Sequence, residues 1–553
     1  MMSDVNNRPI ATSVANDDYI VIQNARAGLG DEKRVKKSRL AGGIYDTVAA
    51  FIADYAPANN QTLSAACAAY GKGFLGIVGN QYYCDGVNIY PQKKLSNSAA
   101  NGYAVISSYG NSIDNMGSAS LAASPSNDVS YFTGAIPGAS ENLTLNGVIA
   151  NFLACLYPMR KGNNCGVDGR TLATMVTNET AASTATTRKV LDTTNNNPNV
   201  LCWVGGAIND LTSATYAAGV IDETNYQTAV TNMKKLISYI VTANVELALI
   251  IPALGYSTGL SGISGTPPVN SDSGNGVRNA VLRLNAEIGT YITSLGLSNV
   301  IYVNPIGVSC DSTGAFLSGY VRSTDGIHPD YWGCYNIASY LKTILETFFG
   351  PAAKTLFPGK NVARNAMMAE VSGGWPTDWA ININANGSVS SQQIETINGV
   401  RWATAIITST AADSLNFFVK LPFNPSDTAN GTIPALNVSV NDKYGIECDL
   451  FIEGANGTLI ENISLWQQYV RYTKTSGGLY LQPTFSFPQN AADVLNHGRL
   501  QMKPNFMIQF GDAGSTLNGA NCWFAPFSAQ TVQGPIGTAI KIGIANYRVV
   551  KLS

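Results

Sequence analysis

Tyr103-Ala-Val-Ile-Ser-Ser-Tyr-Gly110-Asn111-Ser112-Ile113-Asp114 is the stretch on which the fold turns. The run Tyr103–Ser108 has strand character, and it gives way to a glycine, an amide and a hydroxyl. The same form recurs downstream, where Val200–Val204 runs into Gly205-Gly-Ala-Ile-Asn209-Asp210. Val245–Ile251 and Val300–Asn304 are two more short apolar runs. Helical patterns separate them. Tyr226, Val230, Met233, Ile237 and Ile240 recur at steps of four and three, as do Val277, Val281, Leu284, Ile288 and, further on, Leu295. Short buried strands alternating with amphipathic helices predict an α/β domain on a parallel sheet covered on both faces. Tyr256–Gly276, rich in Gly and Ser with Pro267-Pro268, reads as a long surface loop.

Ligands of open α/β sheets bind beyond the carboxyl ends of the strands, so the residues just after each strand are the candidates. They are Gly110-Asn-Ser112, the glycine-bearing turn Asn164-Cys-Gly-Val-Asp168-Gly169-Arg170-Thr171, the turn Gly205–Asp210, and Ser323-Thr-Asp325-Gly-Ile-His328-Pro329. The last precedes a helix running from about Cys334 to Phe349. A serine hydroxyl is a poor nucleophile until a base takes its proton, and a histidine base needs a carboxylate to fix its tautomer. The chain holds two histidines, His328 and His497. His328 has Asp325 three residues before it, whereas His497 has no such partner and reads as structural or surface.

In this order the turns resemble those of the SGNH (GDSL-type) hydrolases, over about residues 100–350. The resemblance implies a flavodoxin-like hydrolase domain with Ser112 as nucleophile, His328 as base and Asp325 as its orienting carboxylate. It assigns the oxyanion hole to the N–H groups of Ser112 and Gly169 and the side-chain amide of Asn209. It requires no cofactor and no metal. Two departures stand out: Asn111 replaces the family's aspartate, and Gly206-Ala-Ile-Asn209 is one residue longer than the usual third turn. Asn209-Asp210 also suits a helix N-cap after a strand.

The chain has 553 residues, enough for two or three domains. Apolar residues make up 45%, which excludes a largely disordered chain. Net charge is −2, from 34 basic and 36 acidic residues, and this balance argues against nucleic acid or an anionic membrane as the main partner. No apolar run is long enough to predict a membrane helix, and none at the start predicts a secretory signal. The nine cysteines form no CxxC pair and fit reduced, buried thiols rather than zinc ligands or a disulfide framework.

Residues 1–99 form the first predicted region. It contains the apolar run Asp18–Gln23, a charged patch Asp31–Arg39 read as a solvated turn, and a helical stretch Ile44–Tyr55. This pattern, with Leu63–Tyr82 after it, resembles the start of bacteriophage tail fibres and tailspikes, where such an arm attaches the protein to the virion. Past Pro351 the helical period vanishes. Leu436, Val438 and Val440 alternate with polar residues, as do Ile540, Ile542 and Ile544, so residues 351–553 predict an all-β sandwich. Trp375, Trp379, Trp402, Trp466 and Trp523 fall there and suit sugar stacking and core filling equally. The resemblances together imply a virion-borne, homotrimeric esterase. Its substrate would be an O-acetylated bacterial surface polysaccharide, and its protein partners the other tail proteins. The alternatives are an inactive receptor-binding fibre and a free cellular or secreted esterase or lipase.

Overall fold

In this computed structural model the first described residues are 19–23, 32–36, 44–45, 48–56, 58–70, 72–77, 80–85 and 89–92. The next are 105–115, 148–166, 169–180, 199–212, 221–243, 245–257, 271–321 and 326–352. The remainder are 355–357, 359–363, 365–411, 415–422, 436–437, 443–455, 462–463, 465–473, 479–488, 499–509, 516–517, 523–533, 537 and 539–552. The chain divides into two compact units, residues 1–94 with 344–351, and residues 95–343 with 352–553.

The larger unit holds a five-stranded parallel sheet. Its strands are β1 (Val105–Gly110), β2 (Arg160–Gly166), β3 (Val200–Val204), β4 (Leu247–Ile251) and β5 (Val300–Tyr302). They lie in the order β5-β4-β3-β1-β2, all parallel. Every residue of β3 and β4 is buried. Consecutive side chains point to opposite faces, so both faces are covered. Full burial of a Val, Leu or Ile side chain stabilises by roughly 1.5–3 kcal/mol, which pins these central strands.

The helices follow the strands as α1 (Ser112–Asn115), α2 (Val148–Leu156), α3 (Leu172–Thr180), α4 (Ile208–Thr212), α5 (Glu223–Thr242), α6 (Ser271–Ser294) and α7 (Tyr331–Phe349). Helix α5 buries the five residues of its apolar face. Three features differ from the sequence reading. Strand β2 begins within residues read as having no strand, because Arg160-Lys-Gly-Asn-Asn is an edge strand without an apolar run. Helix α6 starts at Ser271, inside the stretch read as loop, since Ser and Asp suit a first helical turn better than a helix interior. Its apolar face ends on Ile292, 3% exposed, rather than on Leu295, which lies past the helix end.

Beyond α7 the unit continues as two antiparallel six-stranded sheets. One contains β6 (Ala380–Ala385), β9 (Leu415–Pro422), β11 (Leu465–Thr473), β12 (Leu479–Pro488) and β15 (Trp523–Gln533), with Asn462–Ile463 paired to β15. The other contains β7 (Gly387–Ile397), β8 (Val400–Ser409), β10 (Lys443–Gly454), β13 (Leu500–Met502), β14 (Asn505–Gln509) and β16 (Ala539–Lys551). Ile540, Ile542 and Ile544 are fully buried, as their alternation requires. Trp375, Trp379 and Trp402 are buried too, so these three fill the core; the side chains of Trp466 and Trp523 lie outside the described residues.

These β-sheets and the parallel-sheet region meet at α2. Its last-turn carbonyls are capped from the β-sheets: Lys503 N–H donates to Cys155 O (2.8 Å) and Asn505 Nδ2 to Ala154 O (2.9 Å). Tyr335 of α7 adds its hydroxyl, which donates to Gln501 O (3.0 Å) and accepts Gln501 N–H (3.1 Å). A helix end normally leaves such carbonyls without partners.

In the smaller unit, Tyr19–Gln23 pairs antiparallel with Glu32–Lys36. The charged patch is thus partly strand rather than turn. Helices Val48–Tyr55 and Leu63–Tyr70 bury Phe51, Ala66 and Cys67 with Cys84, next to a four-stranded sheet.

Candidate active site

The strand order places a crossing point between β1 and β3, whose connections leave to opposite sides. In open sheets of this order, that point is where ligands bind. Ser112 follows β1 there, as the first residue of α1. Gly110 makes the turn possible, with φ at +144°, and a Cβ at that position would overlap the Asp114 carboxyl. Glycine is the residue suited to both demands.

His328 arrives on a loop that is bonded to the segment following β4. Ser257 N–H donates to Gly326 O (3.0 Å), and Asp330 N–H donates to Tyr320 O (3.0 Å). Asp330 Oδ1 then accepts the Gly333 N–H (2.6 Å) and starts α7. The outcome is a distance of 2.8 Å between His328 Nε2 and Ser112 Oγ, both half-buried, across 216 residues of sequence. This is within hydrogen-bond reach for proton transfer. Asp325 lies outside the described residues, as does His497.

Gly169 and Asn209 come to neighbouring turns of the same edge. Asn209 Nδ2 donates to Arg170 O (3.0 Å), the residue after Gly169. Gly169 has φ at +69°, and nothing lies within 4 Å of where its Cβ would be, so the turn faces open space. Asp210 is no N-cap. It sits inside α4 and its Oδ2 accepts the Leu172 N–H (2.9 Å) at the start of α3. Burial pushes its carboxyl up to about 6, against the lowering effect of the Leu172 N–H. The third turn is tied to the end of β4 and the residue after it: Gly205 N–H bonds Ile251 O (2.7 Å) and Ala207 N–H bonds Pro252 O (3.0 Å).

Asn111 is fully buried and hydrogen-bonded through both its amide nitrogen and its amide oxygen. Its Nδ2 donates to Gly205 O (3.1 Å), and its Oδ1 accepts the Ile113 N–H (2.9 Å). Asp114, to which the sequence reading gave no role, is 4% exposed, and its Oδ1 accepts the Val204 N–H (2.8 Å). Burial holds its carboxyl well above the usual carboxylate range. Burial raises the Cys202 thiol likewise, with Asp114 adding to the effect. An aspartate in the short helix after β1 carries no signal by itself; its meaning appears once Val204 is beside it.

No protein-family model and no curated protein matches this chain. Among solved structures it is similar to a protein of Bacteroides fragilis described as a candidate acylhydrolase. The identity is 14% over 46% of this chain and 90% of that one, with a TM-score of 0.28. It is similar to the enzymatically active domain of tailspike protein 4 of bacteriophage CBA120 at 9% identity, over 33% of this chain and 21% of that one, TM-score 0.18. A two-domain esterase active on acetylated mannans gives 9% identity over 78% and 91%, TM-score 0.20. Scores this low do not establish a common fold. What the geometry itself shows is Ser112 Oγ within 2.8 Å of His328 Nε2.

Proposed function

We propose that this protein is a serine ester hydrolase of the SGNH type that removes O-acetyl groups from a bacterial surface polysaccharide. The observation that carries the reading is the 2.8 Å approach of His328 Nε2 to Ser112 Oγ at the crossing point of the parallel sheet. In this mechanism His328 takes the Ser112 proton as the oxygen attacks the ester carbonyl, and then hands it to the leaving sugar hydroxyl. Water, activated by the same histidine, releases acetate. Asp325 orients His328. The oxyanion is met by the N–H groups of Ser112 and Gly169 and by Asn209, whose amide has a second N–H besides the one spent on Arg170 O. Removing one such donor costs about 3–4 kcal/mol in comparable sites.

The proposed setting is a phage tail fibre or tailspike, attached through its N-terminal region and assembled as a homotrimer. The pattern Ile10–Leu40 supports it. The inactive receptor-binding fibre is the second reading, and its sequence basis is Asn111 together with the lengthened third turn, Gly206-Ala-Ile-Asn209. The hydrogen bonds that Asn111 makes to Gly205 O and Ile113 N–H weigh against the first part of that basis. Acetate release from a panel of acetylated bacterial polysaccharides tests the proposal. Release by the wild-type chain and none by Ser112→Ala is expected, whereas no release from any polysaccharide or from p-nitrophenyl acetate favours the inactive fibre.

A further inference from the structure

Pairing between β1 and β3 has its last rung at Ser108 and Cys202. Past that rung the backbones part, and two side chains of the Ser112 turn take over. Asp114 Oδ1 accepts the Val204 N–H (2.8 Å), and Asn111 Nδ2 donates to the carbonyl of the next residue, Gly205 (3.1 Å). Both side chains are buried, and Ser112 and Ile113 are the two residues between them. Ile113 is 1% exposed and packs so closely on Gly205 that a Cβ there would collide with Ile113 Cδ1. The turn is gripped on both sides of the serine.

We propose that Asp114 is a positioning residue for the reaction: with Asn111 it clips the Ser112 turn onto the end of β3, and so keeps the serine hydroxyl in line with His328. The inference rests on Ser112 and His328 being nucleophile and base. The chemistry of the acceptor fits the task. Burial favours the neutral acid at this position, and a neutral carboxyl can accept the Val204 N–H without placing a negative charge beside a developing oxyanion. The same carboxyl explains why residue 110 has no room for a side chain.

Asp114→Ala and Asp114→Ser in the full chain remove the acceptor, the serine hydroxyl being too short to reach Val204. Asp114→Asn keeps a neutral acceptor. Steady-state hydrolysis of p-nitrophenyl acetate and the rate of Ser112 labelling by a fluorophosphonate are the readouts. We expect the Ala and Ser variants to lose roughly 10²-fold in kcat, the scale of a small misplacement of reacting atoms. Their KM should stay within about twofold, and labelling should slow in parallel. Asp114→Asn should recover most of the lost rate. A folded Asp114→Ala or Asp114→Ser enzyme with normal kcat and labelling overturns the proposal, as does an Asn variant no better than Ala. Normal hydrolysis by Ser112→Ala would instead remove the nucleophile assignment itself, which separates that failure from this one.

Discussion

Asn111 Nδ2 donates to the carbonyl of Gly205 across 3.1 Å, a bond that a carboxylate at position 111 could not make. Asparagine at 111 therefore supplies a donor at a buried contact where an aspartate would supply none. Asn111→Asp would set a carboxylate against a carbonyl in a fully buried place. Leaving such a group without its partner costs about 1–3 kcal/mol, more when it is charged. We expect a lower urea midpoint and at least a tenfold loss in kcat on p-nitrophenyl acetate. An Asp variant as stable and as active as wild type would show that the Gly205 bond does not matter.

Ser112→Ala and His328→Ala should each remove several orders of magnitude in rate, and the double variant should be hardly worse, because nucleophile and base act as one unit. His497→Ala should be close to neutral. The check is ester hydrolysis by the four purified variants. An essential His497 with a dispensable His328 would move catalysis out of the parallel-sheet region.

Much of this arrangement was legible because the central strands are apolar. Val200–Val204 was read to the residue, and β1 and β4 each within two residues at both ends. Edge strand β2 was not, since Arg160, Lys161, Asn163 and Asn164 carry no core-facing pattern. The serine and histidine could be found from their turns, but Asp114 could not. Its function depends on the Val204 N–H, 90 residues away, and no local pattern encodes that contact. The tryptophans show the same limit: burial of Trp375, Trp379 and Trp402 depends on neighbours supplied by other strands.

Asp210 gives a pH test. Its folded pKa is raised to about 6 from 3.8, so its stabilising contribution is complete below the unfolded value and is lost as pH rises through 6. Asp210→Asn keeps an oxygen for the Leu172 N–H without the charge. Relative to wild type, this variant should gain stability between pH 4 and 7, by up to about 3 kcal/mol. Urea unfolding of both proteins at the two pH values decides it. A constant difference would mean that Asp210 does not titrate in this range.

Asn505 ties the β-sheets to the helix beside the nucleophile turn. Helix α2 packs against α1 and β1 on one side and against β12 and β13 on the other. Asn505→Ala takes the Nδ2 donor from the buried Ala154 carbonyl, which keeps the Met159 N–H (3.3 Å), and should cost about 0.5–1.5 kcal/mol. The loss should exceed that of Gln227→Ala, where the bond to Glu223 is exposed on helix α5. Equal melting temperatures for the two variants would show that the α2 cap contributes little.

The final prediction concerns the polymer. A serine–histidine site with an oxyanion hole stabilises a tetrahedral acyl intermediate, whereas glycosidic cleavage usually needs two carboxylic residues flanking the bond. Among the described residues, the acids of the turns that follow β1 and β3 do not suit that task. Asp114 is 4% exposed and bonded to Val204, and Asp210 is bonded to Leu172 at the start of α3. Neither is free to protonate a sugar oxygen on one face while the other works from the opposite face. Polysaccharide treated with the wild-type protein should therefore lose its acetyl signals in proton NMR and keep its elution volume on a sizing column. Ser112→Ala should leave both unchanged. A marked fall in polymer size with the acetyl groups retained would sink the esterase reading and point to a glycosidase or lyase.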